Sequence, residues 1–436
     1  MVKRDFVKSF FSSSLVILIS VSGVVQADFI SDSKATLSMR NLYFNNDSRQ
    51  TKQVKQEEWG QGFLLKYQSG FTYGTVGFGV DAIGALGIKL DPGEGRHNGS
   101  SFFPSDGEKA VDEFSALGLT AKAKISSTEA RYGTLQPVLP ILVNNDGRLI
   151  PQWFKGVQVT SKEFENLTVT AGGLEKVKDR NSTDSLGLAI AGAGGLAGQR
   201  SNKFYFGGFD YKISPNLLAQ YYISNLEDFY SQNFAGLVHT RPLATGKLTS
   251  DLRYFHSEPD GKNASSSGRA EGYVSTGYYG SGITKGEVDN DTFSATFTYV
   301  VAGHSFIGGF QTVNGDSNMP FINQGSGSTV YLTSNSQITN FTRAGERTWM
   351  AGYAYDFSAA GLPGLSSKVM YLSGGNVKSA RGDLNEWERD ISLSYVVQSG
   401  TLKGLGVTWL NGALRGSAAN DTDENRLYVS YSIPLF

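Results

Sequence analysis

Apolar and polar residues alternate in short segments along most of the chain. In residues 118–125 the two kinds occupy opposite faces, with Leu119, Ala121, Ala123 and Ile125 on one face and Thr120, Lys122 and Lys124 on the other. The alternation recurs at 167–171, 292–299, 391–395 and 426–433. A period of two residues is that of a β-strand whose two faces differ. The pattern therefore predicts an all-β protein built from many short strands.

Two kinds of connection separate these segments and largely alternate along the chain. Short connections of turn residues lie at 126–127, 214–216, 302–303 and 361–364. Long, polar, glycine-rich connections lie at about 84–113, 136–152, 178–200, 257–290 and 313–346. Tight turns at one end and long loops at the other are typical of outer-membrane β-barrels. Alternation alone would also fit a soluble β-sandwich.

The number of segments and the two chain ends favour a closed barrel. Roughly 18 segments can be counted, an even number as a single-chain barrel requires, and a barrel of that size leaves an aqueous channel. The chain ends on an alternating segment, 426–433, followed by Pro-Leu-Phe436. This last strand must pair with the first, near 35–43, because an open edge in lipid would leave backbone groups without hydrogen bonds. We therefore predict a transmembrane antiparallel β-barrel of about 18 strands.

Aromatic residues mostly lie near the predicted strand ends, for example at 204–206, 221–222 and 353–357. Such rings at both water interfaces would form the two girdles of a membrane barrel. The alternative interpretation is that they form the core of a soluble sheet.

The N-terminus has the pattern of a secretory signal. Lys3, Arg4 and Lys8 precede an apolar run from Leu15 to Val25, and Ala27 offers a small residue at the cleavage position. The pattern predicts a signal peptide at 1–27 and one barrel domain at 28–436. A single membrane anchor is the alternative, but the run is short and no basic stop-transfer segment follows it.

Composition narrows the class of protein further. The chain has 53 Gly and no Cys, which suits an exported β-rich protein without disulfides. Residues 1–27 hold three of the 39 Lys and Arg and one of the 40 Asp and Glu, so about 36 and 39 remain, a net charge near −3. A nucleic-acid partner would favour a strongly basic domain and is not expected.

Catalytic and metal chemistry find no support in the sequence. Two of the four His, His97 and His256, fall in predicted loops, and the other two, His239 and His304, fall in predicted turns. None has a Ser or carboxylate partner at strand spacing, so we expect no hydrolase. Without Cys and with scattered His, we expect no transition-metal site and no cofactor. The glycine-rich segment 192–198 lacks a βαβ context and is interpreted as a loop.

A series of stretches, in order, resembles the OprD-type (Occ) family of substrate-specific outer-membrane porins over essentially all of the chain after residue 27. They are QSGFT at 68–72, GFGVD at 77–81, GLTAK at 118–122, GTLQPVLP at 133–140, NDGRLIPQ at 145–152, VKDRNS at 177–182, YVVQSG at 395–400, LKGL at 402–405, DENR at 423–426 and PLF at 434–436. The middle stretches resemble the branch associated with small, often cyclic or aromatic, carboxylates.

The resemblance implies a monomeric 18-stranded barrel whose third extracellular loop, here about Gln136 to Gln152, folds inward and narrows the lumen. Proline fixes φ and would stiffen such a loop. The expected constriction residues are Pro137, Pro140, Asn145, Gly147 and Pro151. A plain surface loop is the alternative interpretation.

The resemblance also implies basic side chains along one wall of the lumen, with acidic groups facing them. Successive side chains of a strand point to opposite faces, and on this basis Lys122, Lys124, Arg131 and Arg426 point inward. Arg389 lies at the rim of its strand, where the direction of its side chain is not settled. The basic candidates are Lys122, Lys124, Arg131, Arg148, Arg389 and Arg426, and the acidic candidates are Asp146, Asp289, Asp291 and Asp316. Each could instead be a solvated charge on the barrel wall.

At three positions the chain departs from the basic pattern of the family. Thr408 and Leu410 stand where relatives alternate arginines, and Gly173 stands where a basic residue is expected. The predicted function is selective, diffusive uptake of small carboxylate-bearing solutes, anionic or zwitterionic, across a Gram-negative outer membrane. Expected partners are outer-membrane lipid and the barrel-assembly machinery. The alternative is a barrel whose loops serve in adhesion or structure.

Overall fold

The computed structural model describes residues 26–49, 55–91, 95–191, 199–279, 285–322 and 330–436. Residues 1–25 of the expected signal peptide lie outside these ranges, so that expectation stays a prediction. A helix, α1 Gln26–Ser31, precedes the first strand, and a second, α2 Ser266–Ala270, lies in a long loop. No helix in the described ranges has the length and apolar character needed to cross a membrane.

Eighteen long strands in the described ranges form one sheet, extended by the two-residue strand Ser185–Leu186. In chain order they are β1 Lys34–Ser48, β2 Gln56–Gln68, β3 Gly77–Asp91, β4 Glu113–Ile125, β5 Thr128–Leu135, β6 Trp153–Ser161, β7 Leu167–Lys178, β8 Phe204–Ser214, β9 Leu217–Leu226, β10 Tyr230–Pro242, β11 Lys247–Pro259, β12 Asn290–Val301, β13 His304–Gly315, β14 Arg347–Asp356, β15 Leu365–Val377, β16 Leu384–Val396, β17 Gly406–Gly416 and β18 Thr422–Pro434.

Each strand pairs antiparallel with its neighbours in sequence, and β1 pairs with β18. Thr36 lies opposite Pro434 at one end of this seam, and Ser48 lies opposite Thr422 at the other. The sheet is therefore a closed barrel, which leaves the long strands without a free edge. The predicted all-β barrel of about 18 strands is confirmed.

The connections at one mouth of the barrel have nine residues or fewer, and all the long loops lie at the other mouth, as the alternation predicted, although the connections 227–229, 378–383 and 417–421 at that mouth are also short. One loop boundary was wrong, because β3 continues to Asp91 and the loop begins only at 92. Gly84 and Gly87 made this strand look like a loop, yet a Cβ at Gly87 would overlap the ring of Phe114 on the neighbouring strand. Two-residue hairpin strands also lie in the loops: Ser105–Asp106 with Lys109–Ala110, and Val138–Leu139 with Leu142–Val143.

The two faces of the wall differ as a membrane barrel requires. Large apolar side chains such as Leu117, Leu119 and Tyr132 are exposed on the outer face. On the inner face, loops fill part of the lumen with two apolar clusters. One contains Phe204, Phe234, Phe255, Ile141, Leu142, Ile322 and Val330, and the other contains Leu42, Phe44, Phe102, Phe103, Leu149 and Trp153.

Removal of Phe436 should lower the amount of folded barrel in the outer membrane. The carbonyl of Phe436 accepts a hydrogen bond from the N–H of Ala35 at 3.2 Å, and its ring lies 6.4 Å from that of Tyr67. The residue therefore helps to close the seam. Heat-modifiable protein in outer-membrane fractions should fall for the truncation but not for Phe436→Tyr. Equal amounts in all three proteins would contradict this role.

Candidate functional site

Loop 136–152 lies inside the barrel, as predicted, and packs directly on the wall of β2. Gly60 and Gly62 make this approach possible because they carry no side chain. A Cβ at Gly62 would lie 2.7 Å from the carbonyl oxygen of Leu149, and one at Gly60 would lie 3.1 Å from Cδ2 of the same residue. We call residues 136–152 the constriction loop.

Arg40 on β1, directly across the strand pair from Gly62, holds the tip of the constriction loop against the same wall. Its Nη1 donates to the Asp146 carboxylate at 2.8 Å, to the Asp146 carbonyl at 3.0 Å and to the Arg148 carbonyl at 2.5 Å. Sequence reasoning missed Arg40. It shares the inward face of β1 with Leu42 and Phe44, so the parity of that strand could have found it. Asp146 is thus inside the lumen but paired.

Hydrogen bonds within and across the tip define its shape. The side-chain oxygen of Asn145 accepts from Arg180 at 3.0 Å and from the N–H of Gly147 at 2.9 Å. The carbonyl of Gly147 accepts from the hydroxyl of Tyr428 on β18 at 3.2 Å. Of the three prolines, Pro137 lines a cavity beneath the loop, Pro140 lies beside Phe255 in the first apolar cluster, and Pro151 is buried.

Three guanidinium groups meet at a cavity of about 530 Å³ on the loop side of the constriction. The side chains are those of Arg148, Arg180 and Arg426, and the carboxylates of Asp146 and Glu424 line the same cavity. Arg426 is ion-paired with Glu424 at 2.5 Å. Arg148 lies over the ring of Phe44, 4.5 Å from its centre, and Arg180 contacts the amide oxygen of Asn145.

This cluster carries positive charge that its carboxylates do not balance. Among the described residues, neither Arg148 nor Arg180 has a carboxylate within ion-pair distance, and the Nε of each is buried without a hydrogen-bond partner. Burial, and then repulsion from Arg426, lowers the pKa of Arg148 to about 10. Burial and the two neighbouring arginines lower the pKa of Arg180 well below its usual range. An anion entering the cavity would relieve this repulsion.

On the turn side of the constriction, basic groups line two further cavities of about 370 and 430 Å³. Arg131 borders both, and Lys66, Lys124 and Lys162 border one each. Arg131 pairs with Glu129 at 2.5 Å. The inward parity predicted for Lys124 and Arg131 therefore agrees with the structure, whereas sequence reasoning missed Lys66 and Lys162.

Lys122 points inward, but its charge is balanced. Its Nζ lies 2.7 Å from the Asp81 carboxylate and donates to the Ser69 carbonyl at 2.7 Å. The side chain is buried. Lys122 thus stabilises the wall and offers a solute less charge than Lys124.

Acidic side chains on β16, which sequence reasoning missed, hold loop 316–346 against the inner wall. The Glu388 carboxylate accepts from the N–H groups of Ile338 and Thr339 at 2.7 and 2.9 Å, and Asp390 accepts from the N–H of Gln337 at 3.0 Å. The same loop segment lines the 530 Å³ cavity. These carboxylates therefore shape the wall that faces the arginines.

Two predicted lumen residues face outward instead. The odd-numbered positions of β16 point away from the lumen, and Arg389 is one of them. It lies opposite Tyr371, whose ring stacks with that of Trp387 on the outer wall. Asp291 is the second residue of β12 and contacts the outward side chains of Tyr254 and His256 at 2.5 and 2.8 Å. The expectation that Arg389 and Asp291 line the solute path is wrong.

The remaining acidic candidates lie at the loop mouth. Asp289 is exposed there, and Asp316 is ion-paired with Lys378 at 2.9 Å. Asp316 therefore joins two loops, and its role toward solutes stays a prediction.

The expectation that no histidine has a Ser or carboxylate partner at strand spacing is also wrong, because the ring of His256 lies 3.2 Å from Glu258, two positions further along β11. His97 lies 2.8 Å from Glu58 on β2 and 2.7 Å from Ser105, partners that are distant in sequence. Together these groups anchor the segment from His97 to Ser105 to the wall. In the part of the chain that the structure describes, no group of three His, Cys, Asp or Glu side chains could hold a metal ion.

Comparison with known proteins identifies close relatives over nearly the whole chain. A family model described as outer membrane porin, OprD family, matches residues 27–435. Porin-like protein GalP of Pseudomonas putida is 35% identical over 413 residues, which cover 93% of each chain.

Two solved structures from Pseudomonas aeruginosa are similar in fold and sequence. OccK8 (OprE) is 56% identical with a TM-score of 0.88, and the match covers 94% of this chain and 100% of that one. OpdK with vanillate is 35% identical with a TM-score of 0.83, covering 93% and 100%.

Proposed function

Because the chain belongs to the OprD family of outer membrane porins, we propose that it takes up small carboxylate-bearing solutes by selective diffusion. Its relatives are channels of the Gram-negative outer membrane and not enzymes. The proposed solutes are organic or aromatic acids and amino acids. The proposed partners are outer-membrane lipid and, during folding, the barrel-assembly machinery.

The observation that supports this solute class most directly is the unbalanced pair of Arg148 and Arg180 at the constriction. A carboxylate loses part of its hydration when it enters a narrow channel. Charge-assisted hydrogen bonds from guanidinium groups replace that hydration. Lys124 and Lys162 then offer further positive groups on the turn side, beside the ion pair of Arg131 and Glu129, so that a solute can move from the first site to the next.

The aromatic ring of Phe44 is buried beneath Arg148 and backs the basic site from within the wall. Phe44 stacks with Phe102, with 6.0 Å between ring centres, and both belong to the cluster that backs the constriction loop. Ile338, which is partly exposed and lines the same cavity, gives the apolar or aromatic body of an acid a contact while its carboxylate meets the arginines. The similar channel OpdK was solved with vanillate, an aromatic acid, which is consistent with this class.

Replacing Arg148 and Arg180 by Gln should reduce the preference of the channel for anions. We expect the anion-to-potassium permeability ratio to fall by roughly threefold, because two unpaired charges leave the narrow region. Reversal potentials of single channels in planar bilayers, under potassium chloride and potassium benzoate gradients, would measure it.

Arg389→Gln is the matched control, since it removes one positive charge from the outer wall and should leave both potentials unchanged. Equal ratios for the double variant and the natural chain would contradict the carboxylate proposal. A natural chain that conducts no current would instead favour the adhesion or structural alternative.

A further inference from the structure

Lysine side chains surround the inner face of the barrel at its turn-side mouth. Each of six lysines lies within four residues of the turn-side end of its strand, and all six are exposed. They are Lys34 on β1, Lys66 on β2, Lys124 on β4, Lys212 on β8, Lys247 on β11 and Lys368 on β15. We call these six residues the lysine collar.

Cavities and neighbouring rings show that the lysine collar faces the lumen. Lys66, Lys124 and Lys368 each line a cavity inside the barrel. The other three lie an even number of positions from a buried ring of the lumen clusters and share its face: Lys34 with Phe44, Lys212 with Phe206 and Lys247 with Phe255. No bulge interrupts these strands between the ring and the lysine.

The lysine collar encloses the mouth instead of following one wall. At most three strands lie between one collar lysine and the next, including the step across the seam from β15 to β1. With neighbouring strands about 4.8 Å apart, adjacent collar lysines are no more than about 19 Å apart across the sheet. This arrangement differs from the single basic wall that the family resemblance implied.

Nearby carboxylates do not balance the positive charge of the collar. Among the described residues, none of its lysines has a carboxylate within ion-pair distance, whereas Lys122 and Arg131 at comparable depth are paired with Asp81 and Glu129. Asp356 is the one inward carboxylate that remains within four residues of a turn-side end in the described strands. The turn-side connections and residues 26–33 contain four acidic residues and two lysines, which leaves the mouth with a net positive charge.

The salt concentration decides how far this charge acts. At 0.1 M ionic strength the Debye length is about 10 Å, so the fields of lysines about 19 Å apart meet. At 1 M the Debye length is about 3 Å, and each lysine acts only on its immediate surroundings. Arg148 and Arg180 are buried at the constriction and act on a solute by contact, which salt screens much less.

We propose that the lysine collar is a second selectivity element, which attracts anions to the turn-side mouth at long range and favours dicarboxylates over monocarboxylates. The electrostatic energy that an anion gains is proportional to its charge. The factor by which the collar favours a dianion is therefore the square of the factor for a monoanion. The inference rests on the chain being a channel, and it holds whichever solute meets the arginines of the constriction.

Replacing the three collar lysines that lie away from the proposed solute path tests the collar. For the triple variant Lys212→Gln, Lys247→Gln and Lys368→Gln, we expect the chloride-to-potassium permeability ratio at 0.1 M salt to fall by roughly twofold. The succinate-to-potassium ratio should fall by roughly fourfold, because succinate carries two charges. At 1 M salt both ratios should equal those of the natural chain. Reversal potentials in planar bilayers would measure them.

The matched control is the triple variant Lys212→Arg, Lys247→Arg and Lys368→Arg, which keeps the charge and should keep both ratios. Heat-modifiable migration would show that each barrel is folded. Four outcomes would each overturn the proposal: unchanged ratios for the glutamine variant at 0.1 M salt, an equal fall at both salt concentrations, an equal fall for chloride and succinate, or the same fall in the arginine variant.

The same recordings separate the collar from the constriction. The double variant Arg148→Gln and Arg180→Gln should lower the benzoate-to-potassium ratio at 0.1 M and at 1 M salt, because those arginines act by contact. A double variant without effect would contradict the carboxylate proposal and leave the collar standing. A triple glutamine variant without effect would contradict the collar alone.

Discussion

Deletion of residues 144–148 should widen the channel and raise its single-channel conductance by a factor of about two or more. These residues form the tip of the constriction loop and line the 530 Å³ cavity. They also supply the groups that Arg40, Arg180 and Tyr428 bind. Without them the tip is shorter and loses its contacts with β1, with β18 and with Arg180. Discrimination between benzoate and chloride should decrease together with the change in conductance.

Arg148→Gln provides the control for this deletion, because it removes the same positive charge and leaves the loop length unchanged. Its conductance should stay close to that of the natural chain. Planar-bilayer recordings at equal salt would compare the three proteins. If the deletion leaves the conductance unchanged, the narrowest part of the channel is not formed by this segment.

Introducing Thr408→Arg and Leu410→Arg together should strengthen the preference for anions. Both positions face the lumen: the Thr408 hydroxyl lies 2.9 Å from that of Ser394, and Leu410 lines a cavity of about 230 Å³ with Lys368 and Asp390. Two charges on alternate positions, about 7 Å apart, would act together in this region. We expect the anion-to-potassium permeability ratio to rise by roughly threefold.

The neighbouring carboxylate predicts an unequal division of this effect. An arginine at 410 would share its cavity with Asp390 and be partly balanced, so Thr408→Arg alone should produce most of the change. The matched control is the pair Thr408→Gln and Leu410→Gln, which adds similar length without charge. A reversal potential that is equal for the arginine and glutamine pairs would refute a basic ladder on this wall.

The sequence alone determined the barrel, because its signals are local. A period of two residues places Leu119 outward and Lys122 inward whatever the rest of the chain does. The requirement that no strand edge remain open in lipid predicted the pairing of β1 with β18, and the structure has this pairing. Prolines and the family resemblance identified the constriction loop, which lies inside the barrel.

The alternation of polar and apolar residues was least informative near the loop mouth of the barrel. There both faces of the wall carry polar residues, so a charged residue does not reveal which way its strand points. Arg389 and Asp291 were misplaced for this reason, and their cross-strand neighbours assign them to the outer wall.

Only the tertiary structure decided which charges remain available to a solute. Lys122 is balanced by Asp81, 41 positions earlier in the chain, and Arg40 meets the constriction loop 106 positions later. Arg148, Arg180 and Arg426 come from two loops and the last strand, yet they surround one cavity. Such contacts depend on how the loops fold back into a closed sheet. A pattern that repeats every two residues carries no information about these contacts. It shows which face of one strand a side chain occupies, but not which side chains from distant strands and loops meet inside the lumen.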